Sequence, residues 1–399
     1  MNTTRQYAGA ITDDKEKRAV HDVMEKGWFG LGVKGEEFEQ NLAKFIDMEG
    51  AVLTNSGSSA NLLALTSLEL PKGSEVITCG LSFPTTVNPI IQCGLIPVFV
   101  DCDETLNIDY RKLNEAYSEK TKAVMFAHTL GNPANIQLIK GWCKMRNLYL
   151  IEDCCDALGS QFDGKMLGSF GDLSTYSFYP AHHITMGEGG AICYRNKLQE
   201  KIIRQYRDWG RDCYCRGDEK RSLGACQVRF EFKVDGHEYD HKYIFSKIGY
   251  NLKPTELEAA IGVEQLKKLP KFIIKRKSNY RRMRENLDEV YRYFDFVDSY
   301  DESDPCPFSF PLIVKTKKFT RRDITRFLEE HGIQTRLVFA GNITRQPGYK
   351  KIIKRIVGDM PNADNVMFNC FMVGIYPGLS TKDIDFISNK IIQYVDSKR

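Results

Sequence analysis

No stretch of this sequence is apolar for the roughly 20 residues needed to cross a bilayer. No secretory leader is visible, because Met1 to Lys17 is polar and mixed in charge. Low-complexity segments, internal repeats and Pro/Gly/Ser-rich linkers are also missing. Nor does one sign of charge dominate: 56 Lys and Arg face 52 Asp and Glu, for a net +4. Such a balance argues against a dedicated nucleic-acid or membrane surface but leaves room for a local phosphate site. The expectation is a soluble, cytoplasmic protein. In that compartment the 12 cysteines are poor candidates for structural disulfides, so they read as free thiols or metal ligands.

What is present is length and alternation. A chain of 399 residues can bury a large core and is expected to form two domains. Helical spacing at Asp13 to Lys26, Glu36 to Phe45, Asn61 to Leu70 and Leu138 to Met145 is interleaved with strand-like runs. Those runs are Glu75 to Thr78, Ile96 to Val100, Ala123 to Ala127 and Leu148 to Ile151. The pattern predicts an α/β fold with a mostly parallel sheet, whose ligands bind at the carboxyl ends of the strands. Residues 211–242 break the rhythm and read as an irregular insert. Helices are then expected at Thr255 to Leu269 and Ile273 to Tyr291, a strand at Ser309 to Val314, and helices at Arg321 to His331 and Thr381 to Ser397. We place a large domain at 1–260 and a smaller α+β domain at 261–399.

Single motifs are ambiguous. Thr54-Asn55-Ser56-Gly57-Ser58-Ser59-Ala60 can cradle an anion before a helix, or simply cap that helix. Asp153 ends an aliphatic strand, where it can pair with a protonated pyridine nitrogen or sit as an ordinary loop acid. Phe83 can cover a flat ring or merely pack, and Ser177 can add a hydroxyl to a phosphate.

Their order carries more weight than any one of them. Together with Ser177-Phe178-Tyr179-Pro180-Ala181-His182-His183-Ile184-Thr185-Met186-Gly187-Glu188-Gly189-Gly190 and Gly249-Tyr250-Asn251-Leu252-Lys253, they resemble the DegT/DnrJ/EryC1/StrS sugar aminotransferases. The resemblance runs from about Trp28 to about Tyr376. It implies the fold-type I architecture of pyridoxal-phosphate (PLP) enzymes. It also implies that Gly57, Ser58, Ser59 and Ser177 hold phosphate, that Phe83 stacks on the ring and that Asp153 meets its nitrogen. Asp156 and Tyr179 would line the ring, and Asn251 would reach the phosphate of a neighbouring subunit in a homodimer. Arg336 and Arg345 would meet substrate phosphates.

Where this family keeps the lysine that anchors the cofactor, the chain has His182, and no lysine lies beside it. Imidazole cannot form that covalent bond, but it can move protons near neutral pH. The segment, with Asp240-His241-Lys242-Tyr243 and Thr335-Arg336-Leu337-Val338-Phe339-Ala340-Gly341-Asn342, resembles the lysine-less 3-dehydratase branch, especially members acting on CDP-linked 4-keto-6-deoxyhexoses. Such enzymes use pyridoxamine phosphate (PMP). Cys155, the Cys213-Tyr214-Cys215 pair and Cys226 resemble the ligand set of its iron–sulfur members, with a longer last gap. Four thiolates suit a 2Fe-2S cluster; zinc or unliganded thiols remain the other readings, with Cys154 and Cys193 as decoys. The resemblance implies dehydration at sugar carbon 3 followed by reduction to a 3,6-dideoxy sugar, with electrons from a flavin/iron–sulfur reductase. The alternatives are a cluster-free GDP-4-keto-6-deoxymannose-type dehydratase and a noncatalytic PLP-fold binding protein.

Overall fold

The computed structural model describes residues 4–213 and 229–398. The two larger sheets begin with β1 (Gly50–Thr54), β2 (Glu75–Cys79), β3 (Ile96–Val100), β4 (Thr121–Ala127), β5 (Tyr149–Asp153), β6 (Leu173–Ser177) and β7 (Gly190–Tyr194). Five more follow: β8 (Phe294–Asp295), β9 (Phe310–Val314), β10 (Thr335–Arg336), β11 (Arg355–Ile356) and β12 (Cys370–Val373). The large sheet has the order β1-β7-β6-β5-β4-β2-β3-β11, and a small sheet the order β8-β9-β12-β10. In the large sheet only β7 runs against its neighbours, so the sheet is mostly parallel. Strands β2, β3 and β4 are buried almost throughout, as a sheet covered on both faces requires.

The small sheet has its own core. Phe294, Leu312, Phe371 and Val373 pack with Ile324, Leu328, Ile384 and Ile391 from the helices Arg321–Glu330 and Thr381–Asp396. Both helices start with a capping box, from Thr320 with Asp323 and from Ser380 with Asp383, which satisfies backbone donors at their first turns.

Seven of these strands carry no run that the spacing singled out: β1, β6, β7 and β11 of the large sheet and β8, β10 and β12 of the small one. β6 reads Leu173-Ser174-Thr175-Tyr176-Ser177, nearly all hydroxyls, yet its first four residues are buried. Burial is tolerated because the hydroxyls are bonded: Thr175 Oγ1 donates to Asn61 Oδ1 at 2.6 Å and Tyr176 OH to the Leu167 carbonyl at 3.2 Å.

The two helices expected around residue 270 are one, Glu256–Asn286. Pro270 has no N–H to donate and would ordinarily break a helix. Here it lies on the exposed face, and the turns on either side are tied down. Gln265 Nε2 donates to Glu16 Oε1 at 2.6 Å, and Asn279 Nδ2 donates to the carbonyls of Ile375, Tyr376 and Leu379.

The insert is less irregular than expected. Phe232–Val234 and His237–Tyr239 form a hairpin across Asp235-Gly236, both with positive φ (50° and 85°). An Asp-Gly pair is the usual signal for such a two-residue turn. Among the described residues no helix is long and apolar enough to cross a membrane.

Candidate active site

A cleft of about 330 Å³ opens at the carboxyl ends of the central strands. Its walls include Gly57, Ser58, Phe83, Asp153, Cys155, Asp156, Ser177, Tyr179, His182 and Arg336, so ten of the expected residues converge on one space.

At one end the helix Gly57–Ser67 presents its first turn. Ser56 caps it by accepting from Ser59 N, which leaves the preceding N–H groups for an anion. Gly57 is required by close approach: a Cβ there would lie 2.5 Å from Ser177 Cβ and 3.0 Å from Cys155 Sγ. Ser59 is not among the cleft-lining residues. Its hydroxyl donates to Asn55 Oδ1 at 2.6 Å, so it braces the loop.

Asp153 closes β5 and is buried. Its Oδ2 accepts from Thr86 Oγ1 at 2.7 Å and Asn61 Nδ2 at 2.9 Å, and its Oδ1 accepts from Cys155 N at 3.1 Å. Three donors hold the carboxyl group in one orientation. They also leave Oδ1 with acceptor capacity for a protonated ring nitrogen. Above it Phe83 is 49% exposed in this otherwise buried region, and Phe339 braces it edge-on with ring centroids 6.3 Å apart. Phe339 holds φ of 49°, a left-handed backbone that costs a bulky residue about 1–3 kcal/mol. This end fits a flat, phosphorylated, cationic aromatic ring.

The opposite wall carries His182. Its Nδ1 lies 3.3 Å from Asp156 Oδ1 without forming a hydrogen bond, and its ring packs on Phe308 at 5.5 Å. His183 is a different kind of residue. It is buried, its Nε2 donates to the Cys306 carbonyl at 2.9 Å, and it is not among the cleft-lining residues. Burial, aided by the nearby Arg276 charge, pushes its imidazolium well below the usual range, so it stays neutral.

Arg336 reaches the cleft with its guanidinium stacked on Tyr7 at 4.4 Å and one N–H donated to the Thr335 carbonyl at 2.7 Å. Arg345 does not line the cleft; its guanidinium is paired with Asp364. Asn251 is exposed and outside the cleft lining, where its Oδ1 accepts from Lys253 at 3.1 Å. Cys155 borders the cleft, and Cys213 is half-buried outside its lining. Cys215 and Cys226 lie outside the described residues. Cys154 and Cys193 are fully buried, and burial raises both thiols far above the usual range.

The model of the DegT/DnrJ/EryC1/StrS aminotransferase family matches residues 10–392. The chain belongs to that family. Within it, the chain is 44% identical to the lipopolysaccharide biosynthesis protein RfbH of Salmonella typhimurium, over 97% of this chain and 91% of that one. It is 42% identical to dTDP-4-dehydro-2,6-dideoxy-D-glucose 3-dehydratase of Saccharopolyspora spinosa, over 99% and 87%. The E. coli GDP-4-keto-6-deoxy-D-mannose-3-dehydratase, solved with bound hydrated PLP, superimposes with a TM-score of 0.86 at 31% identity, covering 98% of this chain and 100% of that chain. The fold is therefore that of fold-type I PLP enzymes, and the similarity extends to the family's 3-dehydratases.

Several residues around the cleft escaped the sequence reading: Asn61 and Thr86 behind Asp153, Thr175 behind Asn61, Phe308 behind His182, and Tyr7 beside Arg336. Thr86 follows Phe83 by one helical turn, which is a usable signal. Tyr7 has none, because the N-terminal segment reaches the cleft by pairing Arg5 with Ile333 and bonding Tyr7 N to Gln334 Oε1.

Proposed function

We propose that this chain is a PMP-dependent 3-dehydratase acting on a nucleotide-linked 4-keto-6-deoxyhexose. The observation that carries this reading is His182, in place of an anchoring lysine, facing the same cleft as a donor-supported Asp153. PMP, when bound, supplies an amine that joins the sugar ketone and a ring that takes up electrons as a proton and the carbon-3 hydroxyl depart. The chain's own residues do the rest. Gly57, Ser58 and Ser177 bind the phosphate, and Phe83 covers the ring. Asp153 keeps the ring nitrogen protonated. His182, with Nδ1 beside Asp156, takes up and returns a proton at Nε2. Arg336 offers its remaining N–H groups to a substrate anion. The resemblance favours CDP as the nucleotide, and the likeness to RfbH favours lipopolysaccharide as the destination of the 3,6-dideoxy product.

We assign Cys155, Cys213, Cys215 and Cys226 to a 2Fe-2S cluster, which would supply one-electron transfer from a flavin/iron–sulfur reductase. The sequence pattern and the place of Cys155 on the cleft wall support this. The likeness to the GDP-4-keto-6-deoxymannose enzyme supports a second reading, a cluster-free dehydratase that regenerates its aminated cofactor from an amino acid. We also assign a homodimer, since Asn251 is exposed and outside its own chain's cleft lining.

Anaerobically purified protein should hold about two irons per chain, and an iron-free, fully active protein would overturn the cluster. Mixed with CDP-, dTDP- and GDP-linked 4-keto-6-deoxyhexoses, it should exchange solvent oxygen at carbon 3 of one of them. His182→Asn should still bind PMP and abolish that exchange; undiminished exchange would sink the reading.

A further inference from the structure

Arg276 is 1% exposed, yet among the described residues no carboxylate forms an ion pair with it. Its partners are backbone carbonyls. Nη1 donates to Phe308 O at 2.9 Å and Pro307 O at 3.3 Å, and Nη2 donates to His182 O at 3.2 Å. Burial pulls the guanidinium down to about 10, partly offset by Cys306 and Asp156, which leaves it charged at neutral pH. A cation held only by neutral oxygens is a costly thing to keep in a core. An apolar side chain of similar volume would pack there at less expense, so the charge has a use that packing does not explain.

The bonds indicate the use. The His182 carbonyl is tied to the long helix, and the same guanidinium fixes the two residues whose end, Phe308, packs on the imidazole. The His182 ring is thus located from behind by its own peptide and from the side by Phe308, with Asp156 Oδ1 3.3 Å from Nδ1. Neighbouring His183 is anchored separately, by the Cys306 carbonyl. We propose that Arg276 is a positioning residue for His182, clamping its peptide and Phe308 together so that the imidazole keeps one orientation toward the cleft. This rests on the reading of His182 as the proton-transferring group.

The test uses full-length protein and the variants Arg276→Met, Arg276→Lys and His182→Asn. With PMP and the active nucleotide sugar saturating, Arg276→Met should lose about 100-fold in kcat, the cost of a misplaced group. KM and PMP affinity, read by absorbance titration, should stay unchanged. Arg276→Lys should recover part of kcat, because an ammonium keeps the charge but not the three-way fork. In cofactor-free protein with 13C-labelled histidine, the resonance that His182→Asn removes should shift in Arg276→Met. An unchanged kcat or an unmoved His182 resonance would overturn the proposal. Should Arg276→Met not fold, Arg276→Lys decides: full kcat with an unmoved resonance overturns it. Full turnover by His182→Asn would instead refute the base assignment, and the resonance would still report the clamp.

Discussion

The floor of the cleft and the exposed segment 229–250, an outer rim of the molecule that contributes no residue to the cleft lining, are built on opposite plans. At the floor, the Glu152-Asp153 end of β5 is buried, and every carboxylate oxygen has a donor. Glu152 accepts from His128 Nε2 at 3.1 Å and from the N–H groups of Gly168, Phe170 and Gly171. His128 Nδ1 accepts from Ala134 N, which fixes the proton on Nε2. At the rim, the hairpin Phe232–Val234 and His237–Tyr239 is exposed along both strands, and Tyr243, Phe245 and Ile248 are exposed too. The carboxylates of the floor draw their donors from one chain, while the rim leaves apolar groups uncovered. Catalytic geometry that must survive turnover belongs in the first kind of region, and surfaces that meet other molecules belong in the second.

The strongest way to break this contrast is at Asp153. Asp153→Asn keeps the shape and removes the charge that holds the ring nitrogen protonated, so turnover should fall about 1,000-fold, the upper end for deleting one preorganised electrostatic contact. PMP should bind more weakly, and the N–H₂ left facing buried donors should lower the melting temperature as well. A variant that turns over normally would mean the floor is structural, like its neighbour Glu152.

Glu152 supplies the converse. Burial alone would raise its carboxyl, but the His128 hydrogen bond and the Gly168 and Gly171 N–H groups outweigh burial and bring it below 4.5. Glu152→Gln puts an N–H₂ against donors, and the chain should lose about 3 kcal/mol in denaturant melts, as for a buried charged group stripped of its partners. The sign of the pH dependence follows. A folded-state value below the unfolded one gives stability that is full above 4.5 and lost as pH falls through the folded value. The gap between wild type and variant should therefore close below pH 4.5 and stay constant above it; a gap that widened in acid would contradict the assignment.

The floor was also the more legible region. Asp153 stood out because an aliphatic run ends at an acid, and His182 because a motif named its position. Their supports were not legible. Asn61, Thr86 and Thr175 come from three separate elements, and nothing local marks a threonine as the donor to an acid 67 residues away. The hydroxyl-rich β6 looked too polar for a central strand, since its burial depends on partners supplied by other segments. Pro270 misled in the other direction, because a local rule about helix interiors gave way to anchoring on both sides. At the rim, Asp235-Gly236 announced a hairpin within a segment whose charge suggested none.

Thr86→Val sharpens the comparison at lower amplitude. It deletes one of two donors to Asp153 Oδ2 and keeps the side-chain volume. A hydrogen bond to a charged group contributes about 1.5–3 kcal/mol. The loss should appear mainly as weaker PMP binding and lower kcat together, because the ionised acid is what both require. Unchanged PMP affinity would show that Asn61 and Cys155 N suffice to hold the carboxylate.

The smallest effect belongs to the rim. Phe232→Ala and Tyr239→Ala remove large apolar groups that are 41% and 47% exposed. Substitutions at exposed positions ordinarily change stability by no more than about 0.5 kcal/mol. The same change in the core, at Phe126 for example, leaves a cavity and costs about 3–5 kcal/mol. Thermal and denaturant melts of these three variants place the rim on one scale with the floor. A loss above about 2 kcal/mol for either rim variant, approaching core values, would mean that the hairpin is covered in the protein as it exists in solution. The distinction between a buried floor and an open rim would then fail.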